Sequence, residues 1–238
     1  MSSPKNTVTT PARSWSVRGR FVGAAAIGFA VLVVIENVLF AVTGAQSYGA
    51  PIEDVLAYYA ANRDAVAIVS GLVALYLPLL LVFVTGLHGL VGRRGGAGAD
   101  WSRLAVAAGA TFAAVFALYA VLWDGVVLSA SELAEPSALF KLVWQLHAGA
   151  FALALSALGT TFIGAALAAH ASRLAAPWQR VLGVAGGGLL IAAGVANLAI
   201  ADGSPIVFVG VLGQAAWLVW LLVTGVRLVL MPRKVGAA

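Results

Sequence analysis

The 238-residue chain contains no cysteine. That excludes a disulfide framework, thiolate metal ligands, covalent haem attachment and a cysteine nucleophile. Charge is almost as scarce: Asp, Glu, Lys and Arg make up 10% of residues, against about 25% in soluble domains. Nothing between the apolar runs is long enough to fold as a separate soluble domain, so the chain reads as one membrane domain. The net charge of +5 does not imply nucleic acid. Its basic residues are scattered through short loops rather than gathered with aromatic or polar readers on one face.

What the chain does have is hydrophobicity, at 62% of its residues. Apolar runs fall at about 21–43, 65–91, 104–123, 138–169, 181–200 and 205–228, each near the roughly 20 residues that cross a bilayer as a helix. None alternates as the strands of a closed barrel must, so unsatisfied backbone groups in hydrocarbon leave only helices. The reading is an all-α, polytopic bundle of six transmembrane helices over 21–229, flanked by tails at 1–20 and 230–238. The first run exceeds the 7–15 apolar residues of a signal peptide core, so it is read as a span although Thr43 and Ala45 resemble a cleavage site.

Charge orients the bundle. Lys5, Arg13, Arg18 and Arg20 precede the first run; Arg93, Arg94, Arg103, Arg173 and Arg180 follow the second and fourth, and Arg227, Arg233 and Lys234 close the chain. The opposite loops carry Glu53, Asp54, Asp64, Asp124, Glu132, Glu135 and Asp202, with Arg63 and Lys141 as their only bases. The positive-inside rule makes the first set cytoplasmic and both termini internal. In the first outer loop Ile52, Val55, Leu56 and Tyr59 share one helical face behind Pro51. Residues 51–62 are therefore expected to form a short interfacial helix with its tyrosines at the headgroups. Ser204 and Pro205 are expected to cap and open the last helix.

Polar residues inside the apolar runs carry the functional signal, because an ionisable group in hydrocarbon costs several kcal/mol and turns toward the bundle or a wet cavity. Glu36 is foremost, about 12 Å below the outer end of its helix, with Asn37 beside it. His147, Asn197 and Gln214 fall in the same leaflet, while Trp123 and Asp124 mark the outer end of the third run and Trp144, Trp217 and Trp220 add aromatic walls. Gln145 and His147 lie about 200° apart on their helix, so both cannot line one narrow cavity; the face of Trp144, His147 and Phe151 is the expected one.

Each feature also has a plainer reading. Asn, Gln, His or a protonated Glu can simply bridge helices, for about 0.6–2 kcal/mol each. Gly183, Gly186, Gly187 and Gly188 follow no strand and precede no lysine, so they form no phosphate loop. Their small-xxx-small spacing instead suits close helix packing, with an oligomeric contact through that fifth helix left open. His88 and His170 sit at similar depth near the arginine side. A bis-histidine metal or haem site is conceivable there, but a solvated histidine at an interface needs no ligand, and no cofactor or metal is expected. The tripeptide Val84-Thr85-Gly86 recurs as Val223-Thr224-Gly225, too short a match to establish a repeat.

Glu36-Asn37-Val38-Leu39, then Val55, Leu56, Tyr58, Tyr59, Ala60, Asn62 and Arg63, then Gly86, Leu87 and Leu90, and finally Trp217, Leu218, Trp220 and Val223 to Leu228 form a pattern spread over most of the chain. In that pattern the chain resembles a family of small six-helix membrane proteins of actinobacteria, catalogued as a domain of unknown function. The resemblance implies six spans and a bacterial plasma membrane. It supplies no activity, and Glu36 stands where the family leads one to expect a neutral polar residue.

Three functions follow as expectations. The first is binding or transport of a small amphipathic or lipid-like ligand by Glu36, Asn37, Trp123, Trp144, His147, Asn197, Gln214 and Trp217. The second is an intramembrane enzyme acting on a lipid or isoprenoid, in which Glu36 or Asp124 donates a proton and tryptophans stabilise a carbocation. The third is an accessory subunit whose polar residues only pack helices. Membrane lipids are partners in all three.

Overall fold

The computed structural model describes residues 12–231, with side chains from Arg18 onward. Lys5, Arg233, Lys234 and the Arg13 side chain, to which the orientation argument appealed, lie outside the described residues. The described chain is all-helical: α1 (Ala12–Thr43), α2 (Ile52–Ala61), α3 (Arg63–Gly92), α4 (Ala99–Ala130), α5 (Ala138–Ala171), α6 (Pro177–Val195), α7 (Asn197–Ala201) and α8 (Val207–Val229). Six of these are long and apolar enough to cross a membrane: α1 from Arg18, α3, α4, α5, α6 and α8.

The spans form a closed ring in chain order. α1 packs on α3, α3 on α4, α4 on α5, α5 on α6, α6 on α8, and α8 returns to α1. Short connections make consecutive spans antiparallel. One end of the ring therefore carries residues 44–62, 131–137 and 196–206, and the other carries 93–98 and 172–176. α5 also reaches across the ring to α3 and α8, which is why its buried residues occupy more than one face.

Lipid offers no hydrophobic drive between helices, so association depends on close packing and interhelical hydrogen bonds. Where α6 meets α5 and α8, and where α1 meets α3 and α8 toward the arginine end, this packing is glycine-built. A methyl added at Gly183 would collide with Ala166, at Gly187 with the Gly159 carbonyl, and at Gly213 with the Gly186 carbonyl. Gly183, Gly186 and Gly187 thus join α6 to α5 and α8 within the chain, and only Gly188 of that set meets nothing. Gly86 seats on Val22 and Gly225 on the Gly23 carbonyl, so both copies of the Val-Thr-Gly tripeptide pack on α1.

Hydrogen bonds finish this end. Gln179 Nε2 donates to Thr224 Oγ1 at 2.9 Å while its Oε1 accepts from the Ala176 amide at 2.9 Å, joining α6 to α8 and capping α6. Ser172 Oγ donates to the Ala97 carbonyl at 2.6 Å, tying the two short connections together.

Several boundaries differ from the sequence reading. α4 runs from Ala99 through Asp124 to Ala130, not 104–123, because the Asp124 carboxylate stays exposed and accepts a 2.6 Å hydrogen bond from Ser70 of α3. α6 stops at Val195, and Asn197 begins the separate α7. The last helix begins at Val207; Ser204 Oγ still accepts from the Ile206 amide at 3.4 Å, within a turn that includes Pro205. α2 forms where a short helix was expected, but Val55, Leu56, Tyr58 and Tyr59 are buried against the bundle, so its tyrosines do not lie out among headgroups.

Candidate functional site: an aromatic cavity around Glu36

Between the loop-bearing end and mid-bundle the ring is not filled. A cavity of about 290 Å³ is lined by α1, α2, α3, α4, α5, α8 and the 45–48 segment. Along α1, Phe29, Val33, Glu36 and Phe40 recur at helical spacing and face it together. Glu36 is only 6% exposed. From the end of α1 at Thr43 it is about 10 Å down the helix. The Tyr76 hydroxyl of α3 donates a hydrogen bond to its carboxyl.

Trp144, His147 and Phe151 all line the cavity from one face of α5, and Gln145 is exposed on the other. His147 is buried more deeply than Glu36, at 2% exposed. Its ring stacks between Tyr119, at 4.2 Å, and Trp144, at 5.2 Å. Its Nδ1 lies 3.2 Å from the Tyr119 carbonyl. A carbonyl only accepts, so Nδ1 carries the hydrogen, and in the neutral ring the lone pair is on Nε2.

The wall is completed by a residue with no signal in the sequence. Tyr48, in the α1–α2 loop, inserts its ring against Trp144, His147 and Phe151 at 5.1–5.8 Å. Burial raises the Tyr48 phenol well above its ordinary pKa, as does the nearby Tyr59, against the opposing effect of its hydrogen bond with Tyr119. Burial raises Tyr59 as well. Both therefore remain neutral hydroxyls. The loop is seated beside Gly203, whose φ of +84° and contact with Gly49 leave no room for a side chain. At the foot of α1, Tyr58 donates to Thr43 Oγ1 at 2.7 Å, and Thr43 donates onward to the Leu39 carbonyl at 2.9 Å.

Of the sequence-derived candidates, Glu36, Asn37, Trp144, His147, Gln214 and Trp217 line the cavity. Asn37 turns its amide back to the Val33 carbonyl at 2.8 Å. Trp123 is fully buried one layer behind, against Phe40, Tyr119 and His147. Trp217 forms the floor with Phe29, Phe83 and Phe162 and stacks on Trp220. Two candidates do not join. Asn197 is in α7, and Asp124 is exposed between α3 and α4; neither borders the cavity.

Sequence reasoning passed over Tyr76, Tyr119, Phe112, Phe116 and Tyr48. A tyrosine inside an apolar run was the available sign, since its hydroxyl demands a partner there. His88 is held instead by Ser102, Nδ1 to Oγ at 2.8 Å, and no group of three or more His, Cys, Asp or Glu residues suited to a metal occurs among the described residues.

Comparison with protein-family models, with curated proteins and with solved structures finds no match to this chain.

Proposed function

We propose that this is a multi-pass membrane protein that binds or transports a small amphipathic or lipid-like ligand in the cavity around Glu36. The observation that carries this reading is the cavity itself: a buried carboxyl and an embedded imidazole converge on unfilled space walled by aromatic rings. A carboxyl that only bridged two helices would need no such space beside it, and natural interiors close voids where they can. Concave, mostly apolar sites with a few convergent polar groups are where small ligands bind.

The arginine-bearing end is cytoplasmic in this proposal, with both termini on that side and the bacterial plasma membrane as the location, following the distribution of basic loop residues. Membership of the uncharacterised actinobacterial family belongs to the same proposal. The test is a panel of lipids and amphipathic drugs screened by thermal unfolding of the purified protein in nanodiscs. Ligands that raise the midpoint of the wild type and lose that effect in Glu36→Gln and His147→Ala support the reading; responses identical in all three proteins overturn it.

One enzyme reading retains support: the aromatic walls would suit a carbocation and Glu36 would be the proton donor. Asp124, remote from the cavity, has no part in it. An uncharged isoprenoid alkene converted by wild-type membranes but not by Glu36→Gln membranes would favour it over binding alone.

A further inference from the structure

We infer that the cavity ligand is an organic cation, a quaternary or protonated amine carried on an apolar body. The inference rests on the cavity being a ligand site, as proposed above, and names the chemistry that site selects.

Charge inside the cavity has one sign. Glu36 is the sole Asp, Glu, Lys or Arg that lines it among the described residues. A carboxylate held this far from water is poorly compensated by one tyrosine hydroxyl, and a cation is the partner that would relieve it. An anionic headgroup would find no lysine or arginine there and would meet Glu36 as a like charge.

The walls point the same way. Eleven of the lining residues are Phe, Tyr or Trp. Faces of such rings attract cations through their quadrupoles, by about 2 kcal/mol or more where water is excluded. Purely aliphatic walls would hold a neutral lipid tail equally well; these walls, converging on one carboxyl, discriminate by charge. The cavity volume of about 290 Å³ is at the small end of ligand pockets, so it suits a compact head and short body rather than a whole phospholipid.

The approach is charged to match. At the loop-bearing end Glu53, Asp54, Asp64, Glu132, Glu135 and Asp202 are all exposed, against Arg63 and Lys141. Loops of that sign concentrate cations at this end of the bundle and repel anions. Two independent features, one at the surface and one buried, thus select for the same charge.

Three matched probes test this with the full-length protein in nanodiscs: benzyltrimethylammonium, its uncharged isostere neopentylbenzene, and phenylmethanesulfonate. Affinities are measured by calorimetric titration of the wild type, Glu36→Gln and Trp144→Leu. The expected result is that the ammonium binds the wild type at least tenfold more tightly than the isostere, that Glu36→Gln removes this preference while retaining the isostere's affinity, that Trp144→Leu weakens the ammonium more than the isostere, and that the sulfonate does not bind. Retained isostere affinity in Glu36→Gln also shows that the variant is folded. If the isostere matches the ammonium in the wild type, the cation assignment falls while the cavity remains a ligand site. Where neither probe binds the wild type, and the broader lipid and drug panel also produces no Glu36-dependent shift, the ligand site and the cation fall together.

Discussion

The α6 side of the bundle and the cavity side solve opposite packing problems. On the α6 side, glycines bring backbones together until a single methyl would collide, and buried polar groups such as Gln179 and Thr224 satisfy each other. On the cavity side, aromatic rings from α1, α2, α3, α4, α5 and α8 border the space that Glu36 and His147 also line. α5 and α8 belong to both sides, so the difference lies in which face of a helix carries glycine and which carries rings. The first is the tight half of the bundle and the second the open half.

Substitutions can break or sharpen that contrast. The largest effect is expected in the tight half. Gly159→Leu would drive a side chain into the Gly187 carbonyl and Leu190, and should cost at least about 3 kcal/mol, seen as loss of folded protein or a steep drop in the unfolding midpoint. Phe116→Leu, at the cavity wall, should cost clearly less, because its ring already borders unfilled space. If the two costs were equal, the contrast would be wrong.

Next is Glu36→Leu, which should raise stability by about 1–2 kcal/mol by removing a buried polar group of similar volume, while abolishing the shift caused by cationic ligands. A stability loss instead would mean that Glu36 is structural. Thr224→Val orphans the Gln179 amide and should cost about 1 kcal/mol, with ligand response unchanged. Smallest of all, Asp124→Asn should alter stability by less than about 0.5 kcal/mol and leave binding intact, since its carboxylate is exposed and outside the cavity.

The sequence is informative where one residue's physics dominates. Long apolar runs leave no option but spanning helices, and Glu36 is conspicuous because a carboxyl in such a run is expensive. On α5, a 100° step per residue separates Gln145 from His147 without any coordinates. Boundaries are less legible: Asp124 resembles a helix end, yet α4 runs on to Ala130, and the Ser70 hydroxyl that meets its carboxylate lies 54 residues away in the chain. Tyr48 shows the same limit more sharply. In the sequence it is a polar-loop aromatic, and nothing local tells that the loop folds inward to put its ring on His147.

The ring closes only when α8 meets α1, with Gly225 against Gly23, and α8 brings Val207, Val211, Gln214 and Trp217 to the cavity. A chain emerging from the ribosome therefore inserts its carboxyl-bearing first span long before the wall that encloses it. Until the final helix arrives, the polar interior of the nascent protein lies open sideways to lipid, and a chain ending before α8 would retain five spans with the cavity missing one wall.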